Sequence, residues 1–173
     1  PLSEGEDWDL TPGQGYYVTR NGSSLIAFRA RRDFSGFLMT ASHCDSPTFK
    51  IKENAELTGS GCRRLAVEKY GGMLMSTWMD RPLGIAGRVL LRKGSGIESR
   101  LLDLGGACAV IPNVAIHMNR KANDGYAWNP AVDLLPLWGS GEEKGFFRPT
   151  LAMALACREE DILATDLALY NPQ

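Results

Sequence analysis

At 173 residues and 44% hydrophobic content, the chain can bury a core as one ordinary domain or as two small units, and wholesale disorder is excluded. Its 19 basic and 20 acidic residues leave a net charge of -1, which removes any electrostatic case for binding nucleic acid or an anionic membrane. No apolar stretch approaches the roughly 18 to 20 residues that span a bilayer, and Pro1-Leu2-Ser3-Glu4-Gly5-Glu6-Asp7 has no signal-peptide pattern. The expectation is a soluble, cytoplasmic protein.

Taken from the start, residues 16–19 and 24–28 are short runs rich in aromatic and β-branched side chains on either side of Arg20-Asn21-Gly22-Ser23. Asn-Gly supplies the positive φ angles of a tight turn, so this region predicts a β-hairpin. Asn21-Gly22-Ser23 also fits a glycosylation acceptor, a three-residue match with no further support. The run 36–40 is almost wholly apolar and predicts a strand buried on both faces. Immediately after it comes Ala41-Ser42-His43-Cys44-Asp45-Ser46-Pro47. In extended chain, side chains two apart share a face, so His43 and Asp45 can meet through an imidazole-carboxylate hydrogen bond. Metal-binding histidines are commonly oriented that way, and a structural histidine tied to a neighbouring aspartate is the competing reading. Cys44 points the opposite way on such a chain, which places it poorly for activation by His43 as a nucleophile.

Beyond Pro47 the texture changes to short β-like segments: 49–52, 65–70, 73–78, 85–92 and 107–111. Glycine-rich turns at 59–61, 71–72, 94–96 and 105–106 punctuate them. Such regular short strands predict a small barrel or sandwich, with a domain boundary near 50–53. Gly94-Ser95-Gly96-Ile97-Glu98-Ser99 lacks the third glycine of a dinucleotide fingerprint and reads as a hairpin turn. The second histidine, His117, lies in the apolar run 111–118, where a satisfied core position is the plain alternative to a functional one. Residues 122–145 read as a long polar loop, 149–158 as the one helix, and 166–170 as a further strand. The four cysteines (Cys44, Cys62, Cys108, Cys157) are scattered, with no C-x-x-C, so neither a zinc ribbon nor a disulfide scaffold is indicated.

Five blocks in this order resemble the aspartyl aminopeptidases, a family of two-metal exopeptidases that form large oligomers. They are the hairpin from Tyr17 to Phe28, the His43-Cys44-Asp45 segment, Glu68-Lys69-Tyr70-Gly71-Gly72 with Ser76-Thr77-Trp78-Met79-Asp80-Arg81, Ala86-Gly87-Arg88-Val89, and Ile111-Pro112-Asn113-Val114-Ala115-Ile116-His117-Met118. The resemblance implies an α+β, β-rich chain in which the start of an α/β zinc-peptidase catalytic domain is followed by an inserted β-rich dimerisation domain. The implied domains are 1–50, 51–164 and a return strand over 165–173. It also implies zinc, two ions in the complete enzyme, with His43 as a metal ligand and Asp45 as the carboxylate orienting it. His117 would reach into the partner subunit's active site, so catalysis would depend on a homo-oligomer acting on peptide substrates. Threonine commonly stands in the family where this chain has Cys44. Further carboxylate and histidine ligands and a glutamate base belong to a later family segment, so the expectation is a portion of an aminopeptidase, inactive alone. Met73, Met75 and Trp78 are the apolar residues expected to bury a subunit interface in the alternative reading, an oligomerisation module without catalysis.

Overall fold

A computed structural model describes residues 1–33 and 35–172, and these form two compact units, Pro1–Cys44 and Asp45–Gln173. The first unit is built on the predicted hairpin. β1 (Gly15–Arg20) and β2 (Ser24–Arg29) pair antiparallel from Gly15↔Arg29 to Arg20↔Ser24. The turn has φ of 54° at Asn21 and 63° at Gly22, the left-handed values that this dipeptide tolerates. Trp8 stacks on Phe28 with ring centroids 6.0 Å apart, and Leu2 N–H donates to the Tyr17 carbonyl at 2.8 Å.

The buried strand expected over 36–40 does not form. Among the described residues, 36–40 belong to no strand, and Phe37, Leu38 and Met39 are 81%, 101% and 84% exposed. A strand apolar on both faces needs neighbours on both edges and a layer on each side. The described strands offer none, because β1 and β2 form a two-stranded sheet and the other strands belong to the other unit. His43 therefore does not follow a strand end.

The second unit is a β-barrel with one helix. Its strands are β3 (Thr48–Gly59), β4 (Cys62–Tyr70), β5 (Pro82–Lys93), β6 (Gly96–Asp103), β7 (Ala109–Val110), β8 (Leu137–Ser140) and β9 (Ile162–Tyr170). They run β6-β5-β7-β8-β4-β3-β9, and β9 also pairs β5, so six of them close into a ring with β6 outside it on β5. Closure satisfies the backbone groups that an open edge would leave unpaired. The interior is filled by alternate residues of facing strands: Phe49, Leu65, Leu83, Ile85, Val89, Ile111, Leu167 and Leu169 are all at most 2% exposed. Trp78 meets Phe49 edge to face at 5.4 Å, and Met73, Met75 and Trp78, each partly buried, pack against this core.

Several expected elements are displaced. The strand expected over 73–78 is a turn of 3-10 helix, Met75–Trp78. The loop expected over 122–145 contains β8, paired with β4 and β7. The helix α1 spans Phe147–Leu155 and buries Phe147, Leu151, Ala152 and Leu155. Its first turn is held by Glu56 of β3, whose carboxylate accepts the N–H groups of Gly145, Phe146 and Phe147 at 2.6, 2.9 and 3.0 Å. It ends on Ala156 in the left-handed region, with Cys157 N–H donating to the Ala152 carbonyl at 3.0 Å. The boundary expected near 50–53 falls within β3, and the return strand expected over 165–173 is, through Tyr170, part of a barrel stave. Gln173 lies outside the described residues. The reason is register: Lys50 pairs Ala168, and residues 162–170 pair β5 along their length, which composition does not reveal.

Candidate functional site

The segment 41–47 carries His43, Cys44 and Asp45 as exposed residues without regular secondary structure. Asp45 opens the second unit, and there the end of β4 meets it: the Tyr70 phenol donates a short hydrogen bond to Asp45 Oδ2. That bond, and then the charge of the same carboxylate, raise the Tyr70 pKa above its ordinary value. Lys50 Nζ lies 5.4 Å from the Tyr70 ring centroid and 2.6 Å from Asp166 Oδ1, and the Asp166 contact raises the lysine's pKa. A Cβ placed on Gly71 would stand 3.5 Å from Pro47, so Tyr70-Gly71 lies directly against the 45–47 stretch. Two stretches that looked separate in sequence, Asp45-Ser46-Pro47 and Tyr70-Gly71, are therefore joined in space. Tyr70 is a partner that sequence reasoning missed; an aromatic residue preceding Gly-Gly at a strand end was its only signal.

His117 is placed differently. It is exposed, on a turn in which Met118 N–H donates to the Ala115 carbonyl at 2.8 Å, rather than in a core. The start of this segment is pinned by Asp80, whose Oδ1 accepts Asn113 N–H at 2.8 Å, while Asp80 N–H donates to the Ile111 carbonyl at 2.9 Å. Asp80 has a φ of 56°, a conformation maintained by this pair of bonds. Here again two blocks of the resemblance meet, Trp78-Met79-Asp80 and Ile111-Pro112-Asn113. A pocket in this region is lined by Met79, Pro112, Val114, Met118, Tyr126 and Trp128, with the last two rings edge to face at 4.7 Å.

A zinc site needs three or four nitrogen, sulfur or oxygen donors around one point. Among the described residues no three of His, Cys, Asp and Glu come together in such a group, so the donors of these residues do not by themselves fit a metal pair. No helix among them is long and apolar enough to cross a membrane.

The family model described as Aminopeptidase I zinc metalloprotease (M18) matches residues 1–173. A probable M18 family aminopeptidase 2 of Pseudomonas putida (strain GB-1) is 41% identical over 182 residues, covering 99% of this chain and 42% of the relative. The chain thus spans less than half the length of that relative. Among solved structures, a chain of the cryo-EM complex of Ape4 and Nbr1 superposes with a TM-score of 0.85 at 31% identity, covering 98% of this chain and 37% of that one. The S. cerevisiae mApe1 dodecamer superposes with a TM-score of 0.71 at 25% identity, covering 99% of this chain and 41% of the other. By sequence over its whole length and by fold, the chain belongs to the M18 family of zinc metalloproteases.

Proposed function

We propose that this chain supplies part of a zinc-dependent aminopeptidase that removes N-terminal residues from peptides, with acidic residues preferred. The observation that carries the reading is the family match across all 173 residues, which takes in both the His43–Asp45 loop and the barrel. In this proposal His43 is a metal ligand and Asp45 orients it, while the barrel unit is the oligomerisation domain of a cytoplasmic homo-oligomer. His117 reaches the partner subunit's site and holds the substrate carbonyl, stabilising the charge that develops on its oxygen. The dodecameric state of the S. cerevisiae relative supports the oligomer. Two ions require about five protein ligands, so the remaining donors would come from residues other than these, and the 173-residue chain alone would be inactive.

The test compares the protein translated from the complete reading frame with the 173-residue chain, using peptides that begin with aspartate, glutamate or leucine. The expected result is release of the acidic residues by the former, abolished by a chelator and by His43→Ala, and none by the latter. Metal-dependent release by the pure 173-residue chain would refute the incomplete-site reading. Activity lost on thiol alkylation and unaffected by chelation would transfer the chemistry to Cys44.

A further inference from the structure

The barrel closes on itself everywhere except at β6. That strand pairs β5 from Ala86↔Asp103 to Lys93↔Gly96 without a register shift, and in the sheet order it has no neighbour on its other side. Unprotected edges of this kind are usually blunted by proline, a bulge or a short strand. β6 has none of these over its 8 residues; two of the charges it carries, Glu98 and Arg100, are paired with each other, and it exposes Ile97 and Leu101, at 68% and 83%.

The hairpin turn fixes which groups face the open edge. Lys93 and Gly96 flank Gly94-Ser95, with φ of 60° at Gly94, and residues flanking a two-residue turn form the narrow, hydrogen-bonded pair. Alternation then directs the N–H and C=O of Glu98, Arg100 and Leu102 towards β5, and those of Ile97, Ser99 and Leu101 outward. A second antiparallel strand must hydrogen-bond to the outward set. For a copy of β6 related by a two-fold axis, registers centred on any residue from 97 to 101 satisfy that requirement, and those centred on Ile97 or Leu101 pair only residues 96–98 or 99–103 of the strand. Centred on Glu98, the pairing sets Glu98 against itself; centred on Arg100, it sets Arg100 against itself. Both place like charges directly opposite, which destabilises a sheet. Centred on Ser99, it sets Ile97 against Leu101 and Glu98 against Arg100, so apolar meets apolar and acid meets base. Glu98 and Arg100 already share a face, 2.8 Å apart within one chain, so the two pairs would merge into a four-member network across the axis.

We propose that the β6 edge is a self-recognition surface, on which two copies of the chain pair antiparallel about Ser99 to join their barrels through one continuous sheet. The inference rests on the reading of the barrel as an oligomerisation unit and names the surface and register it uses. An interface of this kind is isologous: the same strand serves both partners.

The experiment is disulfide trapping of the 173-residue chain in a Cys44→Ser background, with masses followed by light scattering. A narrow antiparallel pair sets Cα atoms about 5.5 Å apart, within the span of a disulfide, so Ser99→Cys should give a reducible dimer under mild oxidation. Ile97→Cys should do so at least tenfold more slowly, since four residues of offset separate the two copies of that position by about 14 Å. Ile97→Lys should lower the dimer fraction in solution. Equal trapping at 97 and 99 would overturn the proposal. An oligomer in which Ser99→Cys does not cross-link would overturn the β6 register and leave the oligomer reading standing. A chain that stays monomeric at every concentration would overturn both, while the peptidase reading rests on its own assay.

Discussion

Glu56 shows how one carboxylate on a strand determines where a helix begins. Its three backbone donors are Gly145 and Phe146, just before α1, and Phe147, its first residue, where no side chain of the helix itself provides a cap. Glu56→Ala should cost about 1 to 2 kcal/mol in urea unfolding, a loss comparable to removing an N-cap. Asp103 provides a pH signature. The Gly105 N–H first, and the Tyr170 hydroxyl second, hold its carboxyl below the usual carboxylate range. A depressed folded-state pKa gives stability that is present above the unfolded value and lost as pH falls through the folded one. Thermal unfolding should therefore lose stability on acidification below about pH 4, and Asp103→Asn should flatten that limb. Both partnerships were invisible in sequence, since they join residues 89 and 67 positions apart. Asp45 was singled out from its spacing to His43, yet the Tyr70 hydroxyl that holds it comes from a strand end 25 residues on, and strand register rather than spacing brings it there.

Periodicity and turn chemistry identified the β1–β2 hairpin and the stretches that became β3, β4, β5 and β9, because Asn-Gly and alternating apolar residues are local signals. They failed where a strand depends on its neighbours. The apolar run 36–40 has the composition of a central strand and no sheet to enter, whereas Leu137–Ser140, after the apolar Leu134-Leu135-Pro136, becomes β8 because β4 and β7 flank it. β6 was read only as the far side of a turn, since charged residues interrupt its alternation. The β5–β9 pair has its tightest point at Gly87, where φ is 155° and an added Cβ would stand 2.1 Å from the Asp166 carbonyl oxygen. Gly87→Ala should force these staves apart and destabilise the barrel by about 1 to 3 kcal/mol, read as a lower midpoint in thermal or urea unfolding. An unchanged midpoint would show that the pair can relax without cost.

The two compact units predict separate fates under proteolysis. Phe37, Leu38 and Met39 are exposed within a stretch that lacks regular structure, so brief chymotrypsin treatment should cut there first. The larger product should keep its β-sheet circular dichroism and its cooperative melt; collapse of both on cleavage would show that the barrel depends on the first unit. The way the barrel closes has one more consequence. β9 comes after every other stave in the chain, and it seals the ring by meeting both β5 and β3, with Thr48 Oγ1 donating to the Leu169 carbonyl 121 residues away. While the polypeptide is being synthesised, Phe49, Leu65 and Ile85 leave the ribosome well before the strand that covers them is made. The nascent barrel must wait unsealed for that interval, with its apolar staves open to water until β9 is made.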